Sequence, residues 1–217
     1  TELAAAGVEL HSLGMEPGRP NPRGAARLAV ILRRVRPAVL HSHMFHANLM
    51  GRIARLAFPI PRVISTLHSP AESSRNSPDI GWRDRLYRMT DSMADCTVAV
   101  SQAVLERHLA AGAVRRSKVR VVPNGIDTSR FRPDRIQRTL VRRAMGVSDE
   151  FIWLAAGRLM WKKDYPTMLR AAARQPKCTL WIAGSGPLEG ELRAMARDLA
   201  VNARFLGVRE DMPELMN

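Results

Sequence analysis

Phe151-Ile152-Trp153-Leu154-Ala155-Ala156-Gly157-Arg158-Leu159-Met160-Trp161-Lys162-Lys163-Asp164 is an apolar run that ends in a glycine and opens into a basic loop. The six apolar residues read as a buried strand, and Gly157-Arg158 falls at its carboxyl end, the edge of an open parallel sheet where ligands collect. Arg158 offers a planar fork of donors to phosphate oxygens, and Lys163, five residues on, supplies a second, mobile cation. Pro166 suits the first turn of a following helix, whose amino end favours an anion. Taken alone, the segment also reads as two solvated cations on a loop.

Working outward, short apolar runs alternate with amphipathic stretches, the pattern of a parallel α/β sheet. On the carboxyl side the spacing predicts a helix over 165–174, a strand over 178–183, a helix over 188–199 and a strand over 203–206. On the amino side it predicts strands over 39–43, 62–68, 95–101 and 118–123, with helices over 24–35, 47–58, 82–92 and 102–111. Ser101 reads as an N-cap and Gly112 as a stop. The polar stretch 128–138 reads as the crossing between two domains, 1–133 and 134–217.

Two further constellations carry chemistry. Ala183-Gly184-Ser185-Gly186-Pro187-Leu188 permits a tight turn and close backbone approach to a ligand. A dinucleotide fingerprint is the rival reading, but the glycine spacing differs and no acidic residue ends the next strand. His41, His43 and His46 close one strand and His68 the next, so the two groups can converge on one cleft. Their spacing raises a metal site, against which no carboxylate or cysteine cluster joins them. His68, in Ser65-Thr66-Leu67-His68-Ser69, is an imidazole presented at a sheet edge. It reads either as a chemical group or as a loop-bonding structural histidine.

The 217 residues carry a formal charge of +14. Residues 1–133 hold 20 Lys/Arg against 10 Asp/Glu, and residues 134–217 hold 14 against 10. This field attracts nucleotides, acidic glycans, nucleic acid or an anionic membrane surface, or else it is spread over solvated arginine-rich helix faces. A nucleic-acid role is disfavoured because aromatic residues do not interleave with the basic ones. Cys96 and Cys178 sit in apolar strand-like runs and read as buried thiols of a reducing compartment. No run reaches the roughly 18 apolar residues of a membrane span.

In order along the chain, Val39-Leu40-His41-Ser42-His43-Met44-Phe45-His46-Ala47-Asn48, Ser65-Thr66-Leu67-His68, Ala99-Val100-Ser101, Val121-Val122-Pro123-Asn124-Gly125-Ile126-Asp127, Ala156-Gly157-Arg158-Leu159 with Lys163, Ile182-Ala183-Gly184-Ser185-Gly186-Pro187-Leu188 and Phe205-Leu206-Gly207 resemble a retaining glycosyltransferase of family 4. The resemblance implies an α/β, GT-B-like fold of two Rossmann-like domains with parallel sheets. Residues 1–133 would be the acceptor-side domain and 134–217 the domain that binds the nucleotide sugar. It implies a hexosyl transfer from a UDP- or GDP-sugar to a glycan or lipid-linked acceptor, of the kind that builds bacterial surface polysaccharide or lipopolysaccharide.

The resemblance also implies roles. Arg158 and Lys163 would bind the donor diphosphate and stabilise the departing nucleotide. His68 matches the histidine near donor sugar and acceptor. Gly184 and Gly186 would line the nucleotide cleft, and Val208 and Arg209 would lie against the base through their backbone. No metal or other cofactor is expected, and the sequence holds no Asp-x-Asp. A cytoplasmic enzyme is implied, peripheral at the inner face of the cell membrane.

Several departures accompany the match. The family's opening strand with its glycine-rich loop and its Glu-x7-Glu element have no counterpart here, so both domains are expected to be incomplete and this chain to transfer sugar poorly or not at all. Asp164 replaces the commoner glycine after the lysine. A non-catalytic nucleotide-binding remnant and a GT-B sugar-nucleotide epimerase stay open as alternatives.

Overall fold

The computed structural model describes residues 2–16, 21–70 and 81–217. In chain order its elements are α1 (Glu2–Ala5), α2 (Pro22–Val35), β1 (Val39–His43), α3 (Phe45–Ala54), β2 (Arg62–Leu67), α4 (Gly81–Thr90), β3 (Cys96–Ala99), α5 (Gln102–Ala110), β4 (Val119–Val121), α6 (Arg135–Ala144), β5 (Phe151–Ala156), α7 (Tyr165–Ala173), β6 (Cys178–Ala183), α8 (Glu189–Asp198), β7 (Ala203–Gly207) and α9 (Met212–Leu215). They fall into two compact units, Thr1–Gly125 and Ile126–Asn217.

The first unit is a four-stranded sheet in the order β1-β2-β3-β4, with each pair parallel. Parallel neighbours require crossover connections, and the helices supply them. Val63 and Leu67 on β2 and Ala99 on β3 are fully buried. Phe45, Leu67, Tyr87, Val104 and Leu105 pack into one core around the β2–β3 centre. Ser101 caps α5 as its sequence predicts, accepting from the Val104 N–H at 3.3 Å. Gly112 takes up the left-handed conformation (φ +61°) just past that helix.

Polar groups hold this unit as well. Arg52 is fully buried, and donates to the hydroxyls of Ser65, Thr90 and Thr97 and to the Tyr87 carbonyl. A buried guanidinium is tolerated only with its donors engaged in this way. Asp84, also buried, receives both arms of Arg107.

The second unit is a three-stranded parallel sheet in the order β5-β6-β7. β6 is buried along its whole length, the signature of a central strand covered on both faces. Leu159, Leu169, Leu180, Ile182 and Leu192 form the core on one side, and Val147, Trp181 and Leu215 a smaller cluster.

The stretch 128–138, read as the crossing between two domains, runs into a helix, since α6 begins at Arg135. Asp134 caps it, accepting from the N–H groups of Ile136 and Gln137 at 2.9 and 3.0 Å. Four arginines and no buried residue gave it little apolar signal, yet the cap and the Ile136, Leu140, Val141 spacing are helical.

Candidate functional site

In the second unit the three parallel strands end side by side, and each ends in a glycine with positive φ. Gly157 follows β5 at φ +153°, Gly184 follows β6 at +134° and Gly207 closes β7 at +68°. The loops after β5 and β6 lie against each other through main chain. Gly157 N donates to Ala183 O at 2.9 Å, Leu159 N to Ser185 O at 2.9 Å, and Leu188 N to Leu159 O at 3.1 Å. A β-carbon at Gly186 would meet the Leu159 main chain at 2.4 to 2.7 Å. The close approach that these glycines permit is to the Gly157–Leu159 main chain.

Leu159 is fully buried, so it pins the basic loop to the core. Tyr165 adds a second pin, its hydroxyl donating to Gly157 O at 3.0 Å. Burial raises the Tyr165 pKa above the ordinary phenol range and keeps that donor protonated. No sequence signal marks this tyrosine beyond its place before Pro166, which does open α7. Asp164 turns the chain into α7 in the left-handed conformation (φ +49°), a region that aspartate tolerates better than most residues.

Arg158 and Lys163 are both exposed, and among the described residues neither side chain has a carboxylate partner or a hydrogen bond. The aliphatic stem of Lys163 passes over Gly157, its Cε 3.5 Å from where a β-carbon there would be. Arg158, Lys163, Gly184, Gly186, Val208 and Arg209 thus gather at one carboxyl edge. Within that set Arg209 is already engaged: its guanidinium forks onto Asp211, with Nε 2.8 Å from Oδ1. That pairing holds the Asp211 carboxyl below the usual range. Val208 is 73% exposed.

In the first unit the parallel register of β1 and β2 brings the histidines together, with His43 opposite Thr66 and His41 opposite Ile64. His41 Nε2 lies 2.7 Å from Thr66 Oγ1, and His43 Nδ1 lies 2.9 Å from His68 Nε2. Partial burial, then repulsion by His43 and His68, lowers the His41 pKa; burial and then His43 do the same to His68. His46 stands apart, edge-on to Phe45 at 5.2 Å, and is lowered by burial and by Arg83. Among the described residues no group of three or more His, Cys, Asp or Glu is placed to hold a metal ion.

Below these rings, Asn48 is fully buried. It accepts from Ser42 Oγ at 2.9 Å and donates to Thr66 O at 2.9 Å and to Tyr87 Oη at 3.1 Å. Met44, between His43 and α3, has φ +72° and ψ 158°, a strained geometry for a side-chain-bearing residue that nothing in the sequence announces.

The model of Glycosyltransferase Family 4 matches residues 2–130, more than half of the chain. This protein belongs to Glycosyltransferase Family 4. Among curated relatives, the family 4 chain is 25% identical over 201 residues to the UDP-Gal:alpha-D-GlcNAc-diphosphoundecaprenol alpha-1,3-galactosyltransferase of Escherichia coli, covering 86% of this chain and 51% of that protein. It is 29% identical over 179 residues to a GDP-mannose-dependent alpha-(1-6)-phosphatidylinositol monomannoside mannosyltransferase of Mycolicibacterium smegmatis, covering 76% and 44%. The chain spans about half the length of the curated relatives it matches.

Among solved structures, Anabaena HepE in complex with UDP and glucose aligns at a TM-score of 0.74 and 22% identity, covering 88% of this chain and 53% of that one. The sucrose-phosphate synthase of Thermosynechococcus elongatus aligns at 0.73 and 20%, covering 90% and 51%. These likenesses establish the fold of the family 4 chain as α/β and GT-B-like, with two Rossmann-like units of parallel strands.

Proposed function

We propose that the protein is a hexosyltransferase that takes its sugar from a nucleoside-diphosphate donor, held at the carboxyl edge of the β5-β6-β7 sheet. The observation that carries this reading is the pair Arg158 and Lys163, exposed and unengaged among the described residues on a loop pinned by Leu159. Two cations without an internal counter-ion suit a diphosphate. As the glycosidic bond to phosphate breaks, negative charge grows on the departing nucleotide, and fixed cations stabilise that state more than the ground state. Gly184 and Gly186 line the nucleotide cleft, and the backbone at Val208 and Arg209 faces the base, the Arg209 side chain being committed to Asp211.

His68 is proposed to act in the transfer, and the sugar passes with retention to a glycan or lipid-linked acceptor. The relatives support the substrate class, since one is named for UDP-Gal with a diphosphoundecaprenol acceptor and another for GDP-mannose with a phosphatidylinositol mannoside. No metal takes part in the proposed transfer. The enzyme works in the cytoplasm and touches an anionic leaflet through its more basic first unit, where α4 exposes Trp82 and Met89 with Arg85 between them. Among the described residues no helix is long and apolar enough to cross a membrane.

Titration calorimetry of the full chain with UDP and with GDP tests the donor site. Binding of one nucleotide that weakens about tenfold or more in Arg158→Ala is the expected result. Absence of binding to both, or equal affinities in the two proteins, would overturn it.

A further inference from the structure

The hydrogen bond between His43 and His68 constrains more than the position of two rings. Nδ1 of His43 and Nε2 of His68 lie 2.9 Å apart. Two neutral imidazoles at that distance share one proton, so one nitrogen donates and the other accepts. The tautomers are therefore linked. If His43 Nδ1 donates, His68 carries its own proton on Nδ1; if His68 Nε2 donates, His68 Nδ1 is a bare acceptor.

The rest of the cluster holds His43 in place. The His41 ring lies 4.4 Å from the His43 ring, and His41 is itself tied to Thr66 Oγ1. Immediately after His43, Met44 adopts its strained backbone conformation. Asn48 secures that turn on both sides, its N–H donating to Met44 O at 2.9 Å and its side-chain amide to Thr66 O at 2.9 Å. Strain of this kind persists only where the surroundings over-determine it. Here it fixes the point at which the chain leaves β1, and with it the direction of the His43 ring.

We infer that His43 is a positioning residue for His68, holding the plane of its ring and setting which of its nitrogens carries the proton. This rests on the proposed role of His68 in the transfer. A fixed tautomer presents a sugar hydroxyl with one constant partner, donor or acceptor, instead of an average of the two. Burial and then the neighbouring His43 lower the pKa of His68, favouring its neutral ring. Among the described residues, the titratable group that acts on His68 is His43, and those that act on His41 are His43 and His68. On α3, His46 is influenced by Arg83 of α4 instead.

The test is nuclear magnetic resonance of the full chain with ¹⁵N-labelled histidine. Long-range ¹H–¹⁵N spectra should show His68 in one tautomer, with a ¹⁵N–¹⁵N coupling across the hydrogen bond to His43. In His43→Ala the His68 nitrogens should move to averaged shifts. In His43→Asn, which places an amide near the lost Nδ1, a single tautomer should return. Averaged His68 nitrogens in the unaltered chain, an absent coupling, or an unchanged His68 spectrum in His43→Ala would each overturn the inference. The coupling is measured on the unaltered chain, so it decides the matter even where His43→Ala does not fold. A parallel UDP titration separates the two readings: a fixed tautomer without nucleotide binding removes the donor site and leaves standing only the hold of His43 on the His68 ring.

Discussion

A β-carbon at Gly184 would lie 2.1 Å from the carbonyl oxygen of Gly157 and 2.9 Å from its carbonyl carbon. The obstacle is backbone on a neighbouring strand end, which cannot swing aside as a side chain would. Gly184 is also at φ +134°, where L residues are strained.

Gly184→Ala should therefore lower stability by about 2–4 kcal/mol, the sum of overpacking and backbone strain. Gly190→Ala is the matched control, since that glycine lies within α8 with nothing within 4 Å of the added carbon. It should be neutral or gain up to about 1 kcal/mol from helix propensity. Denaturant unfolding of the two variants side by side checks this; similar midpoints would refute it.

Arg158→Ala and Lys163→Ala should leave stability within about 0.5 kcal/mol of the parent, because both side chains are exposed and unengaged among the described residues. Their effect should appear in nucleotide binding and should shrink as salt is raised, since exposed cations are screened. Thermal melts with and without UDP at two salt concentrations separate these effects. A large drop in melting temperature without ligand would show that the cations are structural.

Arg107→Met should destabilise the first unit by about 3–5 kcal/mol, because it strands the buried Asp84 carboxylate. The double variant Asp84→Leu with Arg107→Met removes both charges and should recover much of the loss. Chemical denaturation of the parent, the single and the double variant closes the comparison. A double variant no more stable than the single would show that the pair acts through packing.

His108 gives the first unit a dependence on pH. Its ring is buried against Tyr87, with Nδ1 2.9 Å from Val104 O. Burial lowers its pKa below the ordinary 6.5, although the Val104 carbonyl pulls the other way. A histidine depressed in the folded state stabilises the fold above its unfolded pKa, and that contribution is lost as pH falls through the folded value. Stability should thus decline as the pH drops below about 6.5, with a shallower decline in His108→Gln. Unfolding midpoints recorded from neutral pH downward measure both slopes, and identical slopes would rule His108 out.

Much of this was legible in the sequence where burial and strand period coincide. The strand over 39–43 and the strand over 178–183 match β1 and β6 residue for residue; β6 is buried throughout, whereas β1 is mostly exposed and follows from the alternation of strands and helices around it. Ser101 and Pro166 marked their helix starts because capping is local chemistry. No helix was predicted over α6, because none of its residues is fully buried and its apolar signal is weak. The gathering of six candidate residues at one sheet edge was legible too, as a consequence of parallel connectivity. The pairing of His43 with His68 was not, because it depends on the register between strands and on the turn at Met44. Gly184 and Gly186 were found for the right geometric reason, but their neighbour is the Gly157–Leu159 main chain, a contact that no local pattern encodes.

Leu159 occupies the middle of the basic loop, and its amide and carbonyl are both spoken for by the loop after β6. The separation of the two cations is thus a property of the main chain, set when the sheet forms. Main chain also carries the turn through Met160, Trp161 and Lys162, where the Lys163 N–H donates to Met160 O at 3.0 Å. If the proposed donor site holds, a library randomised at those three positions would be expected to vary in nucleotide affinity and specificity far more than in the spacing of the two cations.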